Sequence, residues 1–135
     1  MMPTGIRLFC VGVLACALWS LPAHGGPETP LGPGTQAEID FLLARVQESG
    51  YLFVRNGSEH DCVDAAKHMR RKYEHFLKEG EIASVDDFID LAGTKSLITG
   101  RAYLVRLPDG SEVQTADWLR DELAARRASA AEASQ

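Results

Sequence analysis

The sequence predicts an α+β fold, a single small domain with about four helices packed on a minimal antiparallel sheet of two to three strands. Three observations carry that expectation. Several segments place apolar residues at helical spacing, with acidic or hydroxyl residues at their starts. Two short runs, around Leu52-Phe53-Val54 and 101–107, are rich in strand formers. Pro108-Asp109-Gly110 is a turn from which 111–114 can return antiparallel to the second run.

The first helix is expected to open at Thr35, with Thr35-Gln36-Ala37-Glu38 as a capping box. Ile39, Leu42, Leu43 and Val46 then form one apolar stripe, and Gly50 stops the helix. Leu52, Phe53 and Val54 make a strand that Asn56-Gly57 breaks, since both residues tolerate positive φ. Ser58 is expected to cap the longest helix, over 60–79, with Asp61 completing the box and Glu59 and Asp61 favoured by the helix dipole. Cys62, Ala66, Met69, Tyr73 and Phe76 give that helix a continuous apolar face.

Gly80 closes it. Ser84-Val85-Asp86-Asp87 starts a short helix carrying Phe88, Ile89, Leu91 and Ala92 and ended by Gly93. The loop 94–100 is polar, with Leu97 and Ile98 expected to be buried. Along 101–107, Ala102, Leu104 and Arg106 alternate with Tyr103, Val105 and Leu107. Thr115 is expected to cap a last helix that turns Trp118, Leu119 and Leu123 inward.

The domain organisation follows: 1–25 a signal peptide, 26–34 a flexible linker, 35–125 the α+β domain, and 126–135 a disordered tail. The leader has Arg7 ahead of an apolar run from Leu8 to Leu21, shorter than the ~20 residues of a membrane span. Pro22 ends the run, and Ala23-His24-Gly25 supplies small residues for cleavage after Gly25, or alternatively after Ala23. A lipoprotein site at Cys16 and an uncleaved anchor are the weaker alternatives. A cleaved secretory leader predicts an exported chain, with no stable membrane insertion after cleavage.

The 135 residues have ordinary globular composition, 45% hydrophobic and 24% charged, with formal net charge -5. An acidic domain without a basic stripe argues against nucleic-acid partners and anionic lipid surfaces. Cys10 and Cys16 leave with the leader, so Cys62 has no partner for a disulfide within the mature chain. It is either a small core residue, a thiol near a helix N-terminus, or a link between chains. His60, His68 and His75 are not spaced as a helical metal clamp, so no metal and no cofactor are expected.

The residues around the central turn resemble the YfeK-like family, domain of unknown function 5329. The resemblance lies in Phe53-Val54-Arg55-Asn56-Gly57, then Cys62, Ala65, His68, Arg70 and Lys72. It continues through Asp87-Phe88-Ile89, Ser96, Ile98-Thr99-Gly100 and Tyr103, and covers Ile39 to Leu123. Lys95 and Ala102 depart from the pattern, where a small hydroxyl residue and Pro are usual. The resemblance implies a small exported protein of a Gram-negative envelope, most simply of the periplasm. It implies no activity.

Chemistry concentrates at one edge of the long helix. Asp64, His68 and Lys72 succeed one another at i, i+4, and Arg55 and Asn56 end the strand that feeds the helix. Arg55, Asn56, His68, Lys72 and Ser96 are therefore the candidate polar or anion-binding residues. The alternative to a site is a solvated flank with ordinary ion pairs. A non-catalytic binding module is expected, its partner an envelope protein or a small polar or anionic ligand. The alternative is an envelope hydrolase using Ser96 with His68 or Lys72, although no nucleophile elbow surrounds Ser96. A helix N-terminus after Arg55-Asn56-Gly57-Ser58 also suits phosphate, against the charge of Glu59 and Asp61.

Overall fold

The structure is a computed structural model that describes residues 30–135. The expected leader, the cleavage site and the first part of the linker lie outside the described residues. Helix α1 spans Pro33–Glu48, strands β1 and β2 span Leu52–Arg55 and Ser58–His60, and helix α2 spans Cys62–Lys78. Helix α3, Val85–Phe88, runs into a π-helical turn at Ile89–Gly93. Strands β3, Leu104–Arg106, and β4, Glu112–Gln114, precede helix α4, Thr115–Ala133.

The α+β class is as expected, but the sheet has four strands rather than two to three, in the order β2-β1-β3-β4, all antiparallel. The extra strand is Ser58–His60, expected to lie at the helix start. Asn56 and Gly57 both have positive φ, 53° and 80°, and Arg55 pairs with Ser58. That is a two-residue hairpin turn of the primed kind, whose twist suits antiparallel strands. Polar Ser58, Glu59 and His60 make a suitable edge strand because they discourage pairing with another chain. The cap of α2 consequently falls to Asp61, whose carboxylate accepts from Asp64 N–H at 2.8 Å.

Two other caps differ from expectation. Helix α1 starts two residues before Thr35, with Gly32 as N-cap and Pro33 setting the first helical φ. Thr115 lies inside α4 as its first residue, its backbone N–H donating to the Tyr103 carbonyl. The Ser84/Asp87 capping box of α3 forms as expected. Gly80, at φ 75°, ends α2 with two bonds, its own N–H to Leu77 O and that of Glu81 to Phe76 O.

Ile39, Leu42, Leu43 and Val46 of α1 are buried against α2, α3 and α4. Phe53 faces Val105, which faces Val113, so one sheet face closes on the helices. Trp118 stands edge-on to Phe53 with ring centres 5.9 Å apart. The other face carries Arg106, which ion-pairs with Glu59 and Glu112 across the strands.

The segment 126–135, expected to be a disordered tail, continues α4 as far as Ala133. Its Ala and Arg residues favour helix, and Arg127 holds both carboxylate oxygens of Glu38 at 2.8 Å. Arg126 also lies over the Phe41 ring. These contacts tie α4 to α1 beyond the point where its apolar stripe ends. Leu97 and Ile98, expected to be buried, are 62% and 94% exposed.

Candidate functional site

The hairpin turn places Arg55 and Asn56 beside α2 and beside the loop that precedes β3. Asn56 accepts from the Thr99 hydroxyl at 2.6 Å, and its amide is 3.4 Å from Ser96 Oγ. The hairpin and the 94–100 loop are thereby joined through side chains.

Lys72 is not a rim cation. It is 8% exposed, within the buried stripe of α2 that also contains Met69, Tyr73 and Phe76. Its ammonium donates to the Lys95 carbonyl at 2.8 Å and lies 4.9 Å from the centre of the Tyr103 ring. One helical turn earlier, His68 Nε2 is 3.2 Å from the Tyr103 hydroxyl, with the rings edge to face. Tyr103 therefore joins the two α2 side chains. Asp64, in line with them on the helix, makes no ion pair with either among the described residues.

Ser96 is buried at 4% exposure. Its Oγ accepts from Ile98 N–H and Thr99 N–H at 3.3 Å, in addition to the Asn56 amide. Its carbonyl accepts from Gly100 N–H at 2.9 Å. The hydroxyl thus folds a tight turn. It forms no hydrogen bond with His68 or Lys72 among the described residues, so the hydrolase arrangement lacks its nucleophile–base contact.

The electrostatics of this edge are one-sided. Burial, then Arg55 and Lys72, then Arg71 and His60, push the His68 imidazole down to about 4. Burial and then Arg55 bring the Lys72 amine down to about 8. Burial raises the Tyr103 phenol, with Arg55 acting in the opposite direction. No carboxylate features among these influences. Arg55 itself has no ion pair and no side-chain hydrogen bond among the described residues. A cavity of about 30 Å³, lined by Phe53, Arg55, His68, Tyr103 and Thr115 among others, opens beneath it. That is room for about one water molecule.

The structure thus brings together two groups of expected site residues. Arg55, His68 and Lys72 share one field, while Asn56 and Ser96 build the neighbouring turn. Sequence reasoning gave no role to the Tyr103 ring, the Thr99 hydroxyl or the Lys95 carbonyl. Alternation in 101–107 grouped Tyr103 with Val105 and Leu107 on one side of the strand, which was the available signal. Cys62 is a half-buried free thiol at the first position of α2. Among the described residues no group of three His, Cys, Asp or Glu side chains is placed to hold a metal ion. Among them also, no helix is long and apolar enough to cross a membrane.

Residues 33–127 match a family of unknown function, DUF5329. The chain is 36% identical over 69 residues to the uncharacterised protein YfeK of Salmonella typhimurium (strain LT2). That alignment spans 50% of this chain and 56% of the relative, so the chain matches little more than half the relative's length. No solved structure matches the chain.

Proposed function

The chain belongs to the DUF5329 family, a family of unknown function, and from that premise we propose that it is an exported, non-catalytic binding module that takes a small anion at the Arg55 edge of α2. The observation that carries the anion is the unpaired guanidinium of Arg55, set among His68 and Lys72 with no carboxylate balancing them among the described residues. An anion at Arg55 satisfies the guanidinium in a bidentate way and offsets the part of the two lowered pKa values that Arg55 causes, burial causing the larger part. A carboxylate or phosphate group fits that chemistry. Lys72 acts on the anion through charge alone, since its ammonium already bonds the Lys95 carbonyl, while the neutral His68 ring answers a bound anion by holding a proton more readily.

The experiment is a titration of the His68 ring by NMR with and without inorganic phosphate and acetate. Binding raises the His68 midpoint from about 4, and Arg55→Gln removes the response. A midpoint unmoved by either anion at millimolar concentration overturns the site. Export rests on the leader, whose Arg7 and apolar run precede small residues at 23–25. Fractionation of expressing cells, with mass spectrometry of the mature N-terminus, tests it. Recovery of the uncleaved chain in the cytoplasm counts against it.

A further inference from the structure

Leu97 and Ile98 are held in water by a turn that leaves them little freedom. Five hydrogen bonds fix it: Ile98 N–H and Thr99 N–H to Ser96 Oγ, Gly100 N–H to Ser96 O, Arg101 N–H to Thr99 Oγ1, and Thr99 Oγ1 to Asn56 Oδ1. Lys72 anchors the start of the loop through the Lys95 carbonyl, and Lys95 bridges to Ala102 across its base. The two aliphatic side chains gain little burial from the fold in this position, at 62% and 94% exposure. A pre-ordered apolar tip instead lowers the entropy cost of docking.

Its surroundings are positive, although the chain carries net charge -5. Lys95 and Arg101 flank the tip, and neither has an ion pair among the described residues. Arg101 lies along the hairpin turn, its Nη1 3.6 Å from where a Cβ on Gly57 would stand. We propose that the Leu97–Ile98 turn is a docking tip for a second protein, one that receives these side chains in an apolar pocket rimmed by carboxylates. A lipid surface is the poorer fit, because even a full myristoyl chain gives only marginal membrane binding. Two aliphatic side chains bury less than that. The tip is separate from the Arg55 site and does not depend on it.

The test is site-specific photocrosslinking of the full chain in the cells that make it. Ile98→p-benzoylphenylalanine is compared with the same residue at exposed Ala130 on α4. The expected result is an adduct with one polypeptide from position 98 and none from 130, mapping to a surface that contains Asp or Glu. Lys95→Glu with Arg101→Glu then lowers its yield by about tenfold or more, while Lys78→Gln, in the exposed last turn of α2, leaves it unchanged. Circular dichroism of the charge-reversed chain checks its fold. If that chain unfolds, suppression of the adduct by high salt serves as the charge readout. Adducts only with lipid, only with a second copy of this chain, or with no partner overturn the proposal. So does an adduct indifferent to charge and salt.

Discussion

The ammonium of Lys72 donates to the carbonyl oxygen of Lys95 across 2.8 Å, joining the buried face of α2 to the base of the loop that carries Ser96. The sequence places this lysine on a polar rim; the structure makes it a strut. Lys72→Ala removes its packing and leaves the Lys95 carbonyl without a donor, costing about 2–3 kcal/mol. Lys72→Met keeps the stem and sheds a poorly solvated charge, so it costs about 1 kcal/mol. Urea denaturation of the two variants measures the difference, and equal stabilities refute the strut. Charge reversal at Lys72 consequently tests the fold, whereas substitution of Arg55 tests binding.

His68 gives the fold a pH dependence with a defined sign. Its folded value of about 4 lies below the ordinary 6.5. Between those values the unfolded ring binds a proton that the folded ring refuses. Stability is therefore full above about 6.5, falls as pH drops, and reaches its floor below about 4. The loss amounts to about 1–2 kcal/mol, discounted because the ring is partly solvated. His68→Gln flattens this slope. Denaturation curves for both proteins from pH 7 to 4 measure it, and parallel profiles refute the assignment.

Local chemistry made much of the fold legible, and the limits were those of range. The Ser84/Asp87 box and the Gly80 stop involve neighbours within a few residues, so the sequence contains both partners. Ser58-Glu59-His60 lacks strand formers and precedes acidic residues, so it imitates a helix start. Pairing with β1 overrides that local preference. The Lys72–Lys95 and Asn56–Thr99 bonds join residues far apart in sequence, and a backbone carbonyl acceptor leaves no mark on residue type. Helical spacing showed His68 and Lys72 to be neighbours. It did not show that burial had already engaged them both.

The hairpin turn offers a backbone test. Gly57 has φ of 80°, yet a Cβ there would meet Arg101 only at an ordinary contact distance of 3.6 Å. The cost of Gly57→Ala is thus conformational, about 1–2 kcal/mol. Gly57→Asn, which tolerates the same backbone, recovers part of it. Thermal melts of the pair check this, and an Asn variant no better than Ala would place the cost in the contact with Arg101.

Gly93 presents the opposite case. Its φ is unexceptional, but an added Cβ would lie 2.6 Å from Leu119 Cδ1, on a side chain that is fully buried in α4. Gly93→Ala therefore destabilises through crowding, by about 1–3 kcal/mol. Leu119→Val in the same chain recovers part of the loss by drawing back the methyl. A double-mutant cycle measures the coupling, and strict additivity would show that the two groups do not collide.

Thr115 tests the cavity beneath Arg55. Its hydroxyl is buried without a hydrogen-bond partner among the described residues and the residue lines that cavity, while its backbone N–H bonds the Tyr103 carbonyl. An unpaired buried hydroxyl is destabilising, and valine replaces it with a methyl of nearly the same shape. Thr115→Val is expected to stabilise the domain by about 1 kcal/mol, raising Tm by roughly 4–8 °C. A fall in Tm would mean that the hydroxyl does have a partner, and the room for about one water in the cavity identifies it. Phosphate binding at Arg55 should survive this substitution, because the anion approaches the guanidinium rather than the threonine. Loss of phosphate binding together with a fall in Tm would make water, Thr115 and Arg55 a single site.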